Sequence, residues 1–166
     1  FVIEPGPDVR GLNVALIYRP DLATLLSADS RQGCTGLQDG MEPDGNGDPQ
    51  APQNELTCDR DGDGVLDGNR LFSRPPLVVH LLGRLDGDQV ASASQANVDF
   101  WLVVVHFKSK VGDSSITAYT LPRRLEQAGF VADLVQEIRV GDDLGQIIVL
   151  GDFNDHPDSQ PLAILE

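Results

Sequence analysis

Apolar residues cluster in a few short runs along this chain, and most runs stop at residues that end strands. Leu12–Arg19 (LNVALIYR) is rich in Val, Ile and Tyr and halts at Pro20, which predicts a strand. Leu22–Leu26 predicts a second, short strand behind it. Pro76–Leu82 and Val98–Phe107 (VDFWLVVVHF) predict two more, with a polar hairpin connection over Arg84–Asn97. Ile147, Ile148, Val149 and Leu150 follow one another without alternation, which predicts a strand dry on both faces at the centre of a covered sheet.

Helical periodicity marks Leu121–Val140. Leu121, Leu125, Ala128, Val131, Ala132, Val135 and Ile138 fall on one stripe. Pro122 in the first turn and Gly141 past the end supply start and stop signals. Another helix begins near Pro161. From Arg31 to about Asn69 the chain shifts to Gly, Pro, Asp, Asn and Gln with no period, an insertion too long for an ordinary connection. The order β, β, insert, β, β, α, β, α predicts an α/β fold with a mixed sheet and flanking helices. Nothing repeats, and the glycines have neither Rossmann nor P-loop spacing.

With 166 residues the chain can bury the core of one domain. No apolar run reaches about 18 residues, so no membrane span is expected. The chain opens on Phe1 without a signal-like segment, which suggests a processed form or a cut piece. The formal charge of -14 argues at first against nucleic acid, because phosphates want Lys and Arg. Its distribution softens the objection. Asp39, Glu42, Asp44, Asp48, Glu55, Asp59, Asp61, Asp63 and Asp67 crowd into one segment whose only base is Arg60. Overall charge therefore does not settle the partner.

Two features stand out in that segment. Cys34 and Cys58 bracket most of it, and a bridge between them in an exported protein would contribute roughly 3 kcal/mol. In a cytosolic protein they would be free thiols. The bridge is favoured, since a flexible acidic insert otherwise has little to hold it. In DRDGDGVLDGN, Asp59, Asp61, Asp63 and Asp67 fall at positions 1, 3, 5 and 9 of a calcium loop, with Gly64 at 6 and the Val65 carbonyl at 7. Arg70 stands where the bidentate Glu belongs. Asp44, Asn46 and Asp48 give a weaker second copy; the alternative for both is a solvated acidic linker.

Two apolar strands also deliver polar groups at their ends. His106 closes one and precedes Lys108 and Lys110; Asp152, Asn154, Asp155 and His156 follow the other. Alone, the histidine reads as a satisfied rim residue and the Asp/Asn cluster as a turn. Together they read differently. Two strands joined by one helical crossover run parallel and release their C-terminal ends at the same edge, where open α/β sheets build sites. His106, Lys108, Asp152 and Asn154 would then share a crevice stocked for phosphoryl chemistry: carboxylate, amide, imidazole and ammonium.

VVVHFKSK followed by IIVLGDFND, with VALIYR upstream and an Arg-bearing helix between, resembles the endonuclease/exonuclease/phosphatase superfamily, the deoxyribonuclease-I-like fold. The likeness is closest to its secreted bacterial nucleases and spans roughly residues 10–30 and 70–166. It implies a four-layer α/β sandwich and Mg²⁺- or Mn²⁺-dependent hydrolysis of phosphodiesters or phosphomonoesters. By motif, His106 would contact the scissile phosphate, Asp152 orient or activate the attacking water, and Asn154 help bind the phosphate. Arg19 and Lys108 are looser matches on the phosphate side.

The family's metal-binding Glu and its C-terminal Asp-His pair find no match here, and Glu4 in FVIEPG does not supply the former. Residues 1–166 thus read as a partial domain with an acidic insert at about 31–70. These residues alone are expected to be nearly inactive. The expected protein is a secreted or cell-surface, metal-dependent nuclease acting on nucleic acid or another phosphodiester, with Ca²⁺ in its insert. A phosphatase or sphingomyelinase-like member is the alternative within the superfamily, although the polar insert leans toward nucleic acid. A non-catalytic extracellular calcium-binding module is the alternative outside it.

Overall fold

The structure, a computed structural model, describes residues 1–3, 12–37, 56–84, 97–111, 113, 116, 118 and 120–166. Its elements in chain order are strands β1 (Val2–Ile3), β2 (Ala15–Leu16), β3 (Ala23–Ser30), β4 (Cys34–Thr35), β5 (Asn69–Arg70), β6 (Leu77–Arg84) and β7 (Asn97–His106), helix α1 (Leu121–Gly141), strand β8 (Gln146–Asp152) and the short helix α2 (Gln160–Ala163).

The fold is mixed α/β. Among the described residues its main sheet has four strands in the order β3-β6-β7-β8. The first three are antiparallel neighbours, and β8 joins β7 in parallel through the α1 crossover. The run of Val and Leu in β6 and β7 gives both faces an apolar surface. Val78, Val103, Val105 and Phe107 face α1 and pack on Ala128, Val131 and Leu134. Leu77, Val79, Leu81, Leu102 and Val104 form the opposite face, where Val2, Val14, Leu16 and Tyr18 cover them. Phe72 wedges into the helix-side core, its ring 5.5 Å from that of Phe130 and 6.3 Å from that of Phe107.

Three expectations need correction. Among the described residues the four aliphatics of β8 lie on an edge strand, not a central one, and Ile148 is 50 % exposed. Absence of alternation signals an apolar residue on each face; it does not count neighbouring strands. LNVALIYR forms only the two-residue β2 against β1, with Ile17 turned out while Val14, Leu16 and Tyr18 turn in. Its period of two was masked because the outward positions are also apolar. Finally, the buried face of α1 is Arg123, Arg124, Gln127, Ala128, Val131 and Leu134, which shares Ala128 and Val131 with the apolar stripe read from spacing but replaces its N-terminal part with polar residues. The first turns of α1 bury polar groups because they have partners: Arg123 and Gln127 donate to the Leu71 carbonyl at 2.9 and 3.0 Å, and Arg124 joins the charge network described below.

The insert has an ordered base. β4 pairs with β5, and Cys58 bridges to Gly68. Cys34 and Cys58 are disulfide-bonded, closing a separation of 24 residues. Thr35 bonds the Glu126 carboxylate, and Arg31 donates to Glu137 at 2.7 Å, so both ends of the base are tied to α1. Replacing both cysteines by serine should lower the unfolding free energy by about 3 kcal/mol, the loop-closure scale. Urea unfolding measures this, and an unmoved midpoint would mean that the bridge contributes nothing. Glu4, Asp44, Asn46, Asp48 and the connection between β6 and β7 (residues 85–96) lie outside the described residues. Among the described residues, no helix is long and apolar enough to cross a membrane.

Candidate functional site

The register of β7 on β8 places His106 directly opposite Asp152 at the C-terminal ends of both strands. Their side chains approach to 3.8 Å, Nε2 to Oδ2. Three local features hold this end together. Gly151 has φ 138°, and a Cβ there would lie 2.0 Å from the Val105 carbonyl oxygen, so only glycine lets β8 close on β7 at this point. Phe153 anchors the following loop by packing edge-on against Phe107, with centroids 5.4 Å apart. Asn154 takes the left-handed conformation (φ 49°), which Asn tolerates. Its backbone N–H donates to Asp152 Oδ1 at 2.8 Å and its side-chain amide to the Phe107 carbonyl at 2.9 Å. His106, Asp152 and Asn154 therefore do gather at one sheet edge, with Asn154 using an amide hydrogen to fasten the loop to the strand.

Sequence reading overlooked Arg74. This residue lies in the loop before β6, and its guanidinium sits on the His106 ring, with Nη1 against Nδ1 and 3.2 Å from Nε2. Its position follows from the register: antiparallel pairing puts the start of β6 beside the end of β7, and Arg74 is three residues before Leu77. Lys108 follows β7 at the same edge and is half-buried, its backbone N–H bonded to Gln127 Oε1 at 2.7 Å. Arg19 is not brought there. It precedes β3 by a turn that bonds its carbonyl to the N–H of Ala23, and Ala23 pairs with Gly83, at the sheet's opposite end from His106. Its carboxylate partner in that turn is Asp21. A match of strand-end sequence carries no information about which end of the sheet the strand leaves from.

Beneath the edge lies a buried charge network. Arg124, whose side chain is 2 % exposed, reaches Asp155 at 2.8 Å and Asp113 at 3.3 Å and also donates to the Thr120 hydroxyl. Lys110 meets the other Asp155 oxygen at 2.6 Å. Asp113 accepts from both the N–H and the hydroxyl of Thr120, the residue before α1, at 2.8 Å. Burial alone would raise the pKa of Asp155; the Lys110 ammonium, the His156 N–H and Arg124 outweigh it and hold the value below the ordinary one. Asp113 behaves likewise, with bonds from Thr120 and Arg124 overcoming its burial. The last acid of GDFND thus fixes the loop, while the first, Asp152, keeps a carboxylate that is 64 % exposed.

The acidic loop is a separate centre. Carboxylates of Asp59, Asp61 and Asp63 lie within 4.8 Å of one another. Asp59 accepts from the N–H groups of Gly62 and Gly64, each at 2.7 Å, and from that of Asp61 at 3.2 Å. The Gly64 and Gly62 bonds hold its pKa low. Gly62 and Gly64 have φ of 81° and 88°, the left-handed turns that wrap the chain around the acids. Asp67 accepts from Arg60 N–H at 2.9 Å and stands outside the converging three, and the Val65 N–H donates to Asp63 at 2.8 Å. Such an all-oxygen cluster suits a hard cation. Comparison with protein-family models, curated proteins and solved structures returned no match.

Proposed function

We propose that this protein is a metal-dependent phosphodiester hydrolase of the endonuclease/exonuclease/phosphatase type, acting outside the cell on nucleic acid. The observation that carries the reading is the in-register pair His106–Asp152 at the shared C-terminal edge of two parallel strands, beside Arg74. Asp152 is the exposed carboxylate that can orient a water and accept its proton. His106 and Arg74 are donors for the phosphoryl oxygens, with Lys108 adding charge at the same edge. Asn154 keeps the loop at the distance these roles need and offers its remaining amide hydrogen. A hard divalent ion at this edge would be held in part by the exposed carboxylate of Asp152; Mg²⁺ or Mn²⁺ there would supply Lewis-acid charge at the phosphoryl oxygen.

Apolar surface on both faces of the sheet, including the exposed Ile148, supports a four-layer sandwich. The disulfide supports export. In the same reading the Asp59–Asp67 loop takes Ca²⁺ and orders the insert. Calorimetry should then show Ca²⁺ binding that Asp61→Ala and Asp63→Ala each abolish, because each removes a charged oxygen from a loop with no bidentate Glu. Binding unchanged in both variants would put the ion elsewhere.

Substrate class is tested on the whole gene product with bis(p-nitrophenyl) phosphate and p-nitrophenyl phosphate, with Mg²⁺ and with EDTA. Metal-dependent cleavage of the diester over the monoester supports the proposal. Preference for the monoester would make the protein a phosphatase.

A further inference from the structure

A second constellation lies on the same sheet, away from the edge that holds His106. His80 on β6, Asp99 on β7 and Asp142 at the C-cap of α1 each offer a ligand atom, and these atoms lie within 4.8 Å of one another. Asp99 and Trp101 precede His106 on β7 by seven and five residues, so the group sits roughly 17–23 Å from it along the strand. We propose that His80, Asp99 and Asp142 bind one divalent transition-metal ion.

The fold holds these groups in place independently of any role at the other site. His80 lies opposite Trp101 in the β6–β7 register, and the two rings stack with centroids 3.9 Å apart and planes 11° from parallel. The indole N–H of Trp101 donates to Asp142 Oδ2 at 2.9 Å, and the Gly145 N–H to Oδ1 at 2.9 Å. A Cβ at Gly145 would lie 2.6 Å from Asp142 Oδ2, so the turn after α1 is shaped around this carboxylate.

His80 Nε2 already contacts Asp99. Two carboxylates facing one imidazole leave a negative charge uncompensated even when the ring is protonated, whereas a divalent cation balances both and needs the ring neutral. One nitrogen and two oxygen ligands favour ions of the Zn²⁺, Co²⁺ and Ni²⁺ class over Ca²⁺ or Mg²⁺. The Asp99 side chain is 43 % exposed, which leaves a side open for water ligands. Trp101 and Gly145 act as the outer contacts that orient the carboxylate.

Trp101 is the only tryptophan in the chain, so its emission reads this site alone. The protein is titrated with Ni²⁺ or Co²⁺ in excess Ca²⁺ and Mg²⁺, which fill hard-cation sites first. Expected is saturable quenching by a single ion, reversed by Zn²⁺. His80→Gln and Asp142→Asn should each weaken it by about tenfold or more, and His156→Gln should leave it unchanged. Where either variant fails to fold by circular dichroism, Co²⁺ broadening of the His80 ring protons in the unaltered protein decides. Absence of quenching up to about 1 mM, the weak limit of functional cation sites, overturns the proposal. So do equal quenching in both folded variants and ion binding that leaves the His80 signals sharp.

Discussion

Replacing Arg124 by methionine lowers the stability of the fold by about 3–5 kcal/mol at neutral pH, the scale of breaking a buried ion pair from one side. The size follows from what is left behind. Arg124 is almost wholly buried and is shared by Asp155 and Asp113, whose side chains are 5 % and 13 % exposed. Removing the guanidinium takes the buried countercharge from both carboxylates, leaving Asp113 its two Thr120 bonds and Asp155 the Lys110 ammonium and the His156 N–H. The folded-state pKa values of Asp113 and Asp155 are below the ordinary 3.8, so the stability they contribute is complete above that pH. It drains away as pH falls through the lowered values. Wild type should therefore lose stability in acid more steeply than Arg124→Met, and the two should converge once the pH has fallen below the lowered values. Urea unfolding at neutral and acid pH measures both. A variant with the wild-type midpoint at pH 7 would mean that the network does not form.

His106→Ala and Asp152→Ala in the whole gene product should each slow phosphodiester hydrolysis by about a hundredfold or more, the scale of losing one acid–base or phosphate-contacting group. Both side chains lie at the exposed edge, away from the cores, so the loss should fall on kcat with little change in stability. Asn154→Ala should also cut the rate by about a hundredfold, but by a different route. Its amide fastens the loop to Phe107, and alanine is disfavoured at its positive φ, so stability falls with activity. Separate kinetics and thermal melts distinguish the two patterns.

Much of this site was legible in the sequence because its two halves are strand ends. VDFWLVVVHF and QIIVLGDFND each announce an apolar strand that terminates in polar residues, and a single helix between them forces a parallel pair. Convergence of His106 with Asp152 follows from connectivity alone. What could not be read depends on pairing across the sheet. Arg74 reaches His106 only because β6 runs antiparallel to β7, and Arg19 is carried to the far end by the same rule applied to β3. The acids Asp152 and Asp155 look alike in the sequence, yet one is exposed and the other buried under Arg124 and Lys110. An amphipathic reading of α1 failed where its first turns bury Arg123, Arg124 and Gln127, since hydropathy cannot see partners supplied by loops.

A double-mutant cycle on Mg²⁺-dependent phosphodiester hydrolysis tests most directly whether His106 and Asp152 serve one reacting phosphate. Rates are compared for wild type, His106→Ala, Asp152→Ala and the double variant, all shown to be folded. If the two act on the same phosphate, the losses do not add, and the double variant is within about tenfold of the slower single variant. Losses that multiply to about ten-thousandfold, the product of two independent hundredfold effects, would contradict a shared site. Single variants that keep the wild-type rate would remove it altogether.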